Sequence, residues 1–186
     1  MEKAGKKRGV MIGGVLLVFC IALVSCARHV QRDHFIQADA AHRMLIASSA
    51  SEFKDALRSR LIDNYRPVAN IEVIDIKLLE EIDADAFDAI VIMDSCWARS
   101  HLNLSFKRFI DDLERRNHVI LLLTTGGEEW DFAYENVDAV TSASVIDNQD
   151  KVFETLRRRI DAVLMKKQAA TSKQRTWQAR WGTKKM

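Results

Sequence analysis

Cysteine is scarce in this chain and poorly placed for cross-linking: of three in 186 residues, Cys20 and Cys26 belong to an N-terminal apolar stretch, which leaves Cys96 alone in the remainder. A single thiol cannot pair within the folded part, so there is no disulfide framework. The cysteines and histidines also lack zinc-ligand spacing. Proline occurs once, at Pro67, where it marks a turn. No sign of charge dominates: 28 Lys and Arg against 26 Asp and Glu leave +2, too little for a nucleic-acid binder as a whole. No internal repeat is visible. With 48% hydrophobic and 29% charged residues, the chain has material for one globular domain of ordinary composition plus extensions.

The first extension is an export or membrane signal over residues 1–27. Lys3, Lys6, Lys7 and Arg8 precede an uncharged run from Val10 to Ala27. That length lies between a signal-peptide core of about 7–15 residues and a spanning helix of about 20. The run ends in "LVSC" (Leu23 to Cys26), which resembles the bacterial lipobox, in which the cysteine is acylated and becomes the first residue after cleavage. Two fates fit: lipidation at Cys26, or an uncleaved anchor helix. Both tether the protein to a membrane. The cationic flank before the run is denser than Arg28 and Arg32 after it, so the N-terminus is expected to stay cytoplasmic and the rest to face the extracytoplasmic side.

Residues 28–42 read as a polar linker or short juxtamembrane helix, and the domain is expected over 43–165. Five apolar runs, "MLIAS" (44–48), "IEVIDI" (71–76), "DAIVIMD" (88–94), "HVILLLTT" (118–125) and "DAVTSAS" (138–144), read as strands. Helical spacing separates several of them: Phe53, Leu57, Leu61 and Ile62; Phe106, Phe109, Ile110 and Leu113; and, after the fifth run, Val152, Phe153, Leu156, Ile160, Val163 and Leu164. "KLLEEIDADAF" between the second and third runs has room for one or two helical turns. Near-continuous apolar strands alternating with helices predict an α/β fold with a doubly wound, five-stranded parallel sheet. The expected strand order is the flavodoxin-like 2-1-3-4-5, in which the loops after strands one, three and four meet at one crevice.

The region from about Met44 to Leu164 resembles the flavodoxin-like family in its loops as well. "DSCWARS" is similar to the loop that lays an aromatic ring on flavin, a role the resemblance gives to Trp97. "LTTGGEEW" is similar to the second flavin loop, with Thr125, Gly126 and Gly127 at its start and Trp130 as another stacking ring. The phosphate loop departs from the family. In "SSASEFKD" the hydroxyls of Ser48, Ser49 and Ser51 adjoin an electropositive helix N-terminus, but Ser51 stands in place of the expected glycine and Phe53 in place of the expected threonine. Glu52 adds a negative charge, and Ser51 is better suited to capping the helix. "DAVTSAS" resembles the target motif of periplasmic flavin transferases, which implies Ser144 as an acceptor for covalent flavin mononucleotide. Ser142 there replaces the motif's glycine.

Other chemistries have less behind them. Asp94 and Thr124 or Thr125 resemble the phospho-accepting aspartate and switch hydroxyl of response-regulator receivers, but the acidic pair after strand one and the lysine after strand five are missing. Cys96 and His101, five apart, do not define a nucleophile and base, and His118 falls at the opposite edge of the sheet from the crevice. The last 21 residues, 166–186, carry seven Lys or Arg and no acid. Trp177 and Trp181, four apart, would share a helix face suited to an anionic membrane surface; a disordered solubilising tail is the alternative. The expected protein is therefore a membrane-tethered, extracytoplasmic domain with a degenerate phosphate loop, no metal and no nucleic-acid partner. Its expected role is binding or assembly with a protein partner, without catalysis by the domain alone. The rival is an electron-transfer flavoprotein holding flavin mononucleotide.

Overall fold

The computed structural model describes residues 29–96, 104–126 and 137–182. The apolar run with Cys26, and Trp97, His101, Gly127 and Trp130, lie outside the described residues.

The fold is α/β, with a mostly parallel sheet of six strands rather than five. The strands are β1 (Asp33–Phe35), β2 (His42–Ser48), β3 (Ala69–Asp75), β4 (Ala89–Ser95), β5 (Val119–Thr125) and β6 (Asp138–Ala143). They lie in the order β1-β3-β2-β4-β5-β6, and β2 to β6 are mutually parallel. Without β1, the parallel strands follow the expected 2-1-3-4-5. The central strands are buried almost throughout, because helices cover both faces and successive side chains point to opposite sides.

Met44 and Ile46 of β2 therefore enter one core, and Leu45 and Ala47 the other. On the first face lie α1 (Glu52–Tyr65) and α3 (Gln149–Gly182), contributing Phe53, Leu57, Leu61, Leu156 and Ile160. The second face is covered by α2 (Leu104–Asp112) and the 3-10 turns Ile76–Glu81 and Ala84–Ala86, with Leu79, Phe87, Phe106 and Ile110. Tyr65 joins α1 to α3: its hydroxyl donates to Asp161 at 2.8 Å and lies 3.1 Å from the Arg157 carbonyl.

The sixth strand comes from the segment expected to be a linker. β1 pairs antiparallel with β3, Asp33 opposite Val73 and Phe35 opposite Ile71. Arg32 donates twice to Glu72 (3.0 and 2.7 Å), the Gln37 N–H donates to Asn70 at 2.7 Å, and Val30 is buried in the first core. This segment shields what would otherwise be an open sheet edge.

At the other end of the chain, α3 is longer than the hydrophobic pattern indicates. Its last buried position among the described side chains is Leu164, and the helical backbone continues to Gly182, 34 residues or about 51 Å in all. Lys167 pairs with Asp88 at 3.1 Å and Gln168 meets the His42 ring at 2.9 Å, holding the helix against the starts of β4 and β2. Among the described residues no helix is long and apolar enough to cross a membrane.

Candidate functional site

The carboxyl ends of β2, β4, β5 and β6 form one edge, and most of the buried polar residues collect there, His42 and His118 lying at the opposite edge. Ser48, Asp94 and Thr124 are buried at this edge, each following a run of apolar residues on its strand. Polar atoms so placed need partners, and those partners define the site.

The serine turn after β2 is occupied by the protein itself. The Ser48 hydroxyl donates to the Ser49 carbonyl (2.8 Å), Ser49 Oγ donates to Asp94 Oδ1 (2.7 Å), and Ser51 Oγ accepts the Lys54 backbone N–H (3.2 Å). Ser51 is thus the N-cap of α1. The Ser49 N–H is bound by the Met93 carbonyl at 3.0 Å, which ties the turn to β4.

Beside this turn is a residue the sequence reading passed over. Lys54, in the first turn of α1, has a side chain only 1% exposed, with Nζ 2.5 Å from Ser95 Oγ. Burial lowers its pKa from the ordinary value, opposed by the carboxylates of Asp94 and Asp55. The positive end of the helix dipole acts in the same direction as burial. No ion pair within 4 Å joins Lys54 among the described residues; the partner of its amine is a hydroxyl. Ser95 Oγ in turn lies 3.2 Å from Thr124 Oγ1, and Thr124 donates to the Asp94 carbonyl at 3.3 Å. Lys54, Ser95 and Thr124 thus form one hydrogen-bonded chain that ends on β4, and between Ser95 and Thr124 either hydroxyl can be the donor.

Next to Ser95 is a cavity of about 260 Å³ lined by Ser95, Cys96, Thr124, Thr125, Gly126 and Ser144. The Ser144 N–H donates to the Thr125 carbonyl (2.8 Å) and the Cys96 N–H to the Thr124 carbonyl (2.8 Å), so the wall is braced by backbone. A side chain at Gly126 would meet nothing within 4 Å.

Of the residues singled out from sequence, Thr125, Gly126 and Ser144 come together around this cavity, while Ser48, Ser49 and Ser51 are held in the neighbouring turn. Cys96 is buried on the cavity wall. Asp94 and Thr124 meet, through the Asp94 carbonyl rather than its carboxylate. His118 is buried at the start of β5, at the far edge, where burial pushes its imidazole pKa down and Arg115 reinforces the shift. No group of His, Cys, Asp and Glu side chains suited to a metal occurs among the described residues.

Comparison with protein-family models finds no match to this chain, and comparison with curated proteins finds no similar sequence.

Proposed function

We propose that the chain is a membrane-tethered protein whose flavodoxin-like domain faces the extracytoplasmic side and serves binding or assembly there, without flavin mononucleotide held in the usual phosphate turn. The observation that carries this is the closed turn after β2. Its three hydroxyls are engaged by Asp94, by the turn's own carbonyl and by the first turn of α1. A phosphate at that place would have to displace Ser49 from a buried carboxylate and then sit beside it. Two unit charges of like sign 4 Å apart repel by about 4 kcal/mol at an effective dielectric of about 20. The N-terminal apolar run and "LVSC" support the tether, and the basic C-terminal segment supports a contact with anionic lipid.

One observation favours a second reading. Ser144 is exposed and shares its cavity with Thr125 and Gly126, so flavin mononucleotide joined to Ser144 by a phosphoester would not need the closed turn. The two differ in colour and mass. The protein, purified with its tether and supplemented with flavin, is expected to show no flavin absorbance before or after acid precipitation. Colour that remains with the precipitate, together with a mass increment lost in Ser144→Ala, would replace the binding role with the flavoprotein one. The same mass spectrum tests the tether, through a mature chain that starts at an acylated Cys26 or an intact chain that starts at Met1.

A further inference from the structure

We propose that Ser95 and Lys54 form a nucleophile–base pair for acyl transfer, and that the cavity at the ends of β4, β5 and β6 receives a short acyl ester.

This goes beyond a binding role, which leaves Lys54 without a task. A lysine in the first turn of a helix opposes the helix dipole, and burying its amine adds a desolvation penalty. Both terms disfavour the ammonium form, and the group that receives Nζ is a serine hydroxyl on a cavity wall. A nucleophile touching a desolvated amine is the arrangement of serine–lysine dyads, and a third group orients this hydroxyl. Here the orienting group is Thr124, 3.2 Å from Ser95 Oγ and itself fixed to the Asp94 carbonyl. Both partners stand on rigid elements: Ser95 is the last residue of the buried strand β4, and Lys54 is held at the capped start of α1. The charged groups facing the amine are Asp94 on β4 and Asp55 on α1, with Glu52 exposed in the same helical turn.

The chemistry balances with water as the second reactant. The neutral Lys54 amine takes the Ser95 Oγ proton as Oγ bonds to the acyl carbon. The ester C–O bond breaks, and the alcohol leaves with the proton from the Lys54 ammonium. Water then attacks the acyl-Ser95 ester, again through Lys54, releasing the acid and restoring the serine. The cavity, about 260 Å³, has room for a short acyl group.

The test uses the full chain in detergent, a fluorophosphonate probe that phosphonylates activated serines, and p-nitrophenyl acetate as the ester. The expected result is a single adduct mapped to Ser95, absent in Ser95→Ala and formed at least 100-fold more slowly in Lys54→Met. Ester hydrolysis by the wild-type chain should rise with pH through an apparent pKa below that of free lysine. An unlabelled wild-type chain, an adduct at another residue, or equal labelling in folded Lys54→Met overturns the proposal. If Lys54→Met does not fold, the wild-type pH profile decides: a rate that follows only hydroxide concentration, with no titration below the lysine range, removes Lys54 as the base.

Discussion

At the scale of single residues, Lys54 has an expected signature in stability as well as chemistry. Its native pKa lies below the ordinary 10.5, so between the two values the unfolded chain binds more protons than the native one. The unfolding free energy then rises with pH across that window. In Lys54→Met this contribution is absent, and a buried amine is replaced by an apolar chain of similar length. Urea unfolding at pH 7 should find the variant at least as stable as the wild type. Repeating it at pH 9.5 should show the wild type gaining on the variant; a difference that shrinks in the opposite sense would mean that Lys54 is held charged. The lysine was legible in the sequence. Positions 54, 57, 61 and 65 form one stripe of α1, and Leu57, Leu61 and Tyr65 on that stripe are core residues. A lysine on a core stripe in the first helical turn is out of place twice over. The fate of Ser49 was not legible, since it depends on Asp94, some 45 residues away, and only the folded sheet brings it near. The capping role of Ser51 was, because it involves neighbours three residues apart.

Among secondary-structure elements, the contact between α1 and α3 holds the first core together. Tyr65 is 2% exposed, and burial together with its hydrogen bond to Asp161 pushes the phenol well above its ordinary range. Tyr65→Phe keeps the ring and removes the hydroxyl, leaving Asp161 its pairing with Arg157 at 3.2 Å. The expected loss is about 1 kcal/mol in denaturant unfolding at pH 7. That loss should diminish above about pH 10, where the unfolded tyrosine ionises before the native one and wild-type stability falls. The parallel strands and the buried helix faces were readable, because burial on both sides of a strand and on one side of a helix leaves periodic apolar patterns. β1 was not. Three residues are too short for a period of two to register, and its place comes from Arg32, Gln37 and the partners they find on β3. The end of α3 was obscured for another reason: the regular apolar spacing read from the sequence ends at Leu164, while the helical backbone runs on to Gly182.

For the whole molecule, the two ends of the described chain leave from opposite edges of the sheet. His29 lies 3.9 Å from Asp75 and Val30 donates its N–H to the same carboxylate, at the carboxyl end of β3. α3 leaves from the other edge, past Gln168 on His42 at the start of β2. If Cys26, three residues before His29, carries the proposed lipid, the Asp75 corner would stand within roughly 10 Å of the point of attachment. The seven-residue strand β2 spans about 23 Å between the two edges. The α3 residues beyond Gln168 reach about 20 Å further. For the basic segment to contact the same bilayer as the tether, the domain must lie with its strands along the surface. An upright domain would point that segment away from the lipid. We expect the lying orientation, because the attraction of several Lys and Arg to an anionic surface is about 1 kcal/mol each. The measurement is tryptophan quenching by brominated lipid, with the full tethered chain in vesicles containing 30% anionic lipid. Quenching that falls in about 0.5 M salt, where the Debye length is only a few Å, and that is lost in Trp177→Phe/Trp181→Phe, places the helix end on the membrane. Quenching that is absent from the outset places the end of α3 in solvent, and the basic segment would then serve a partner other than the bilayer that holds the tether.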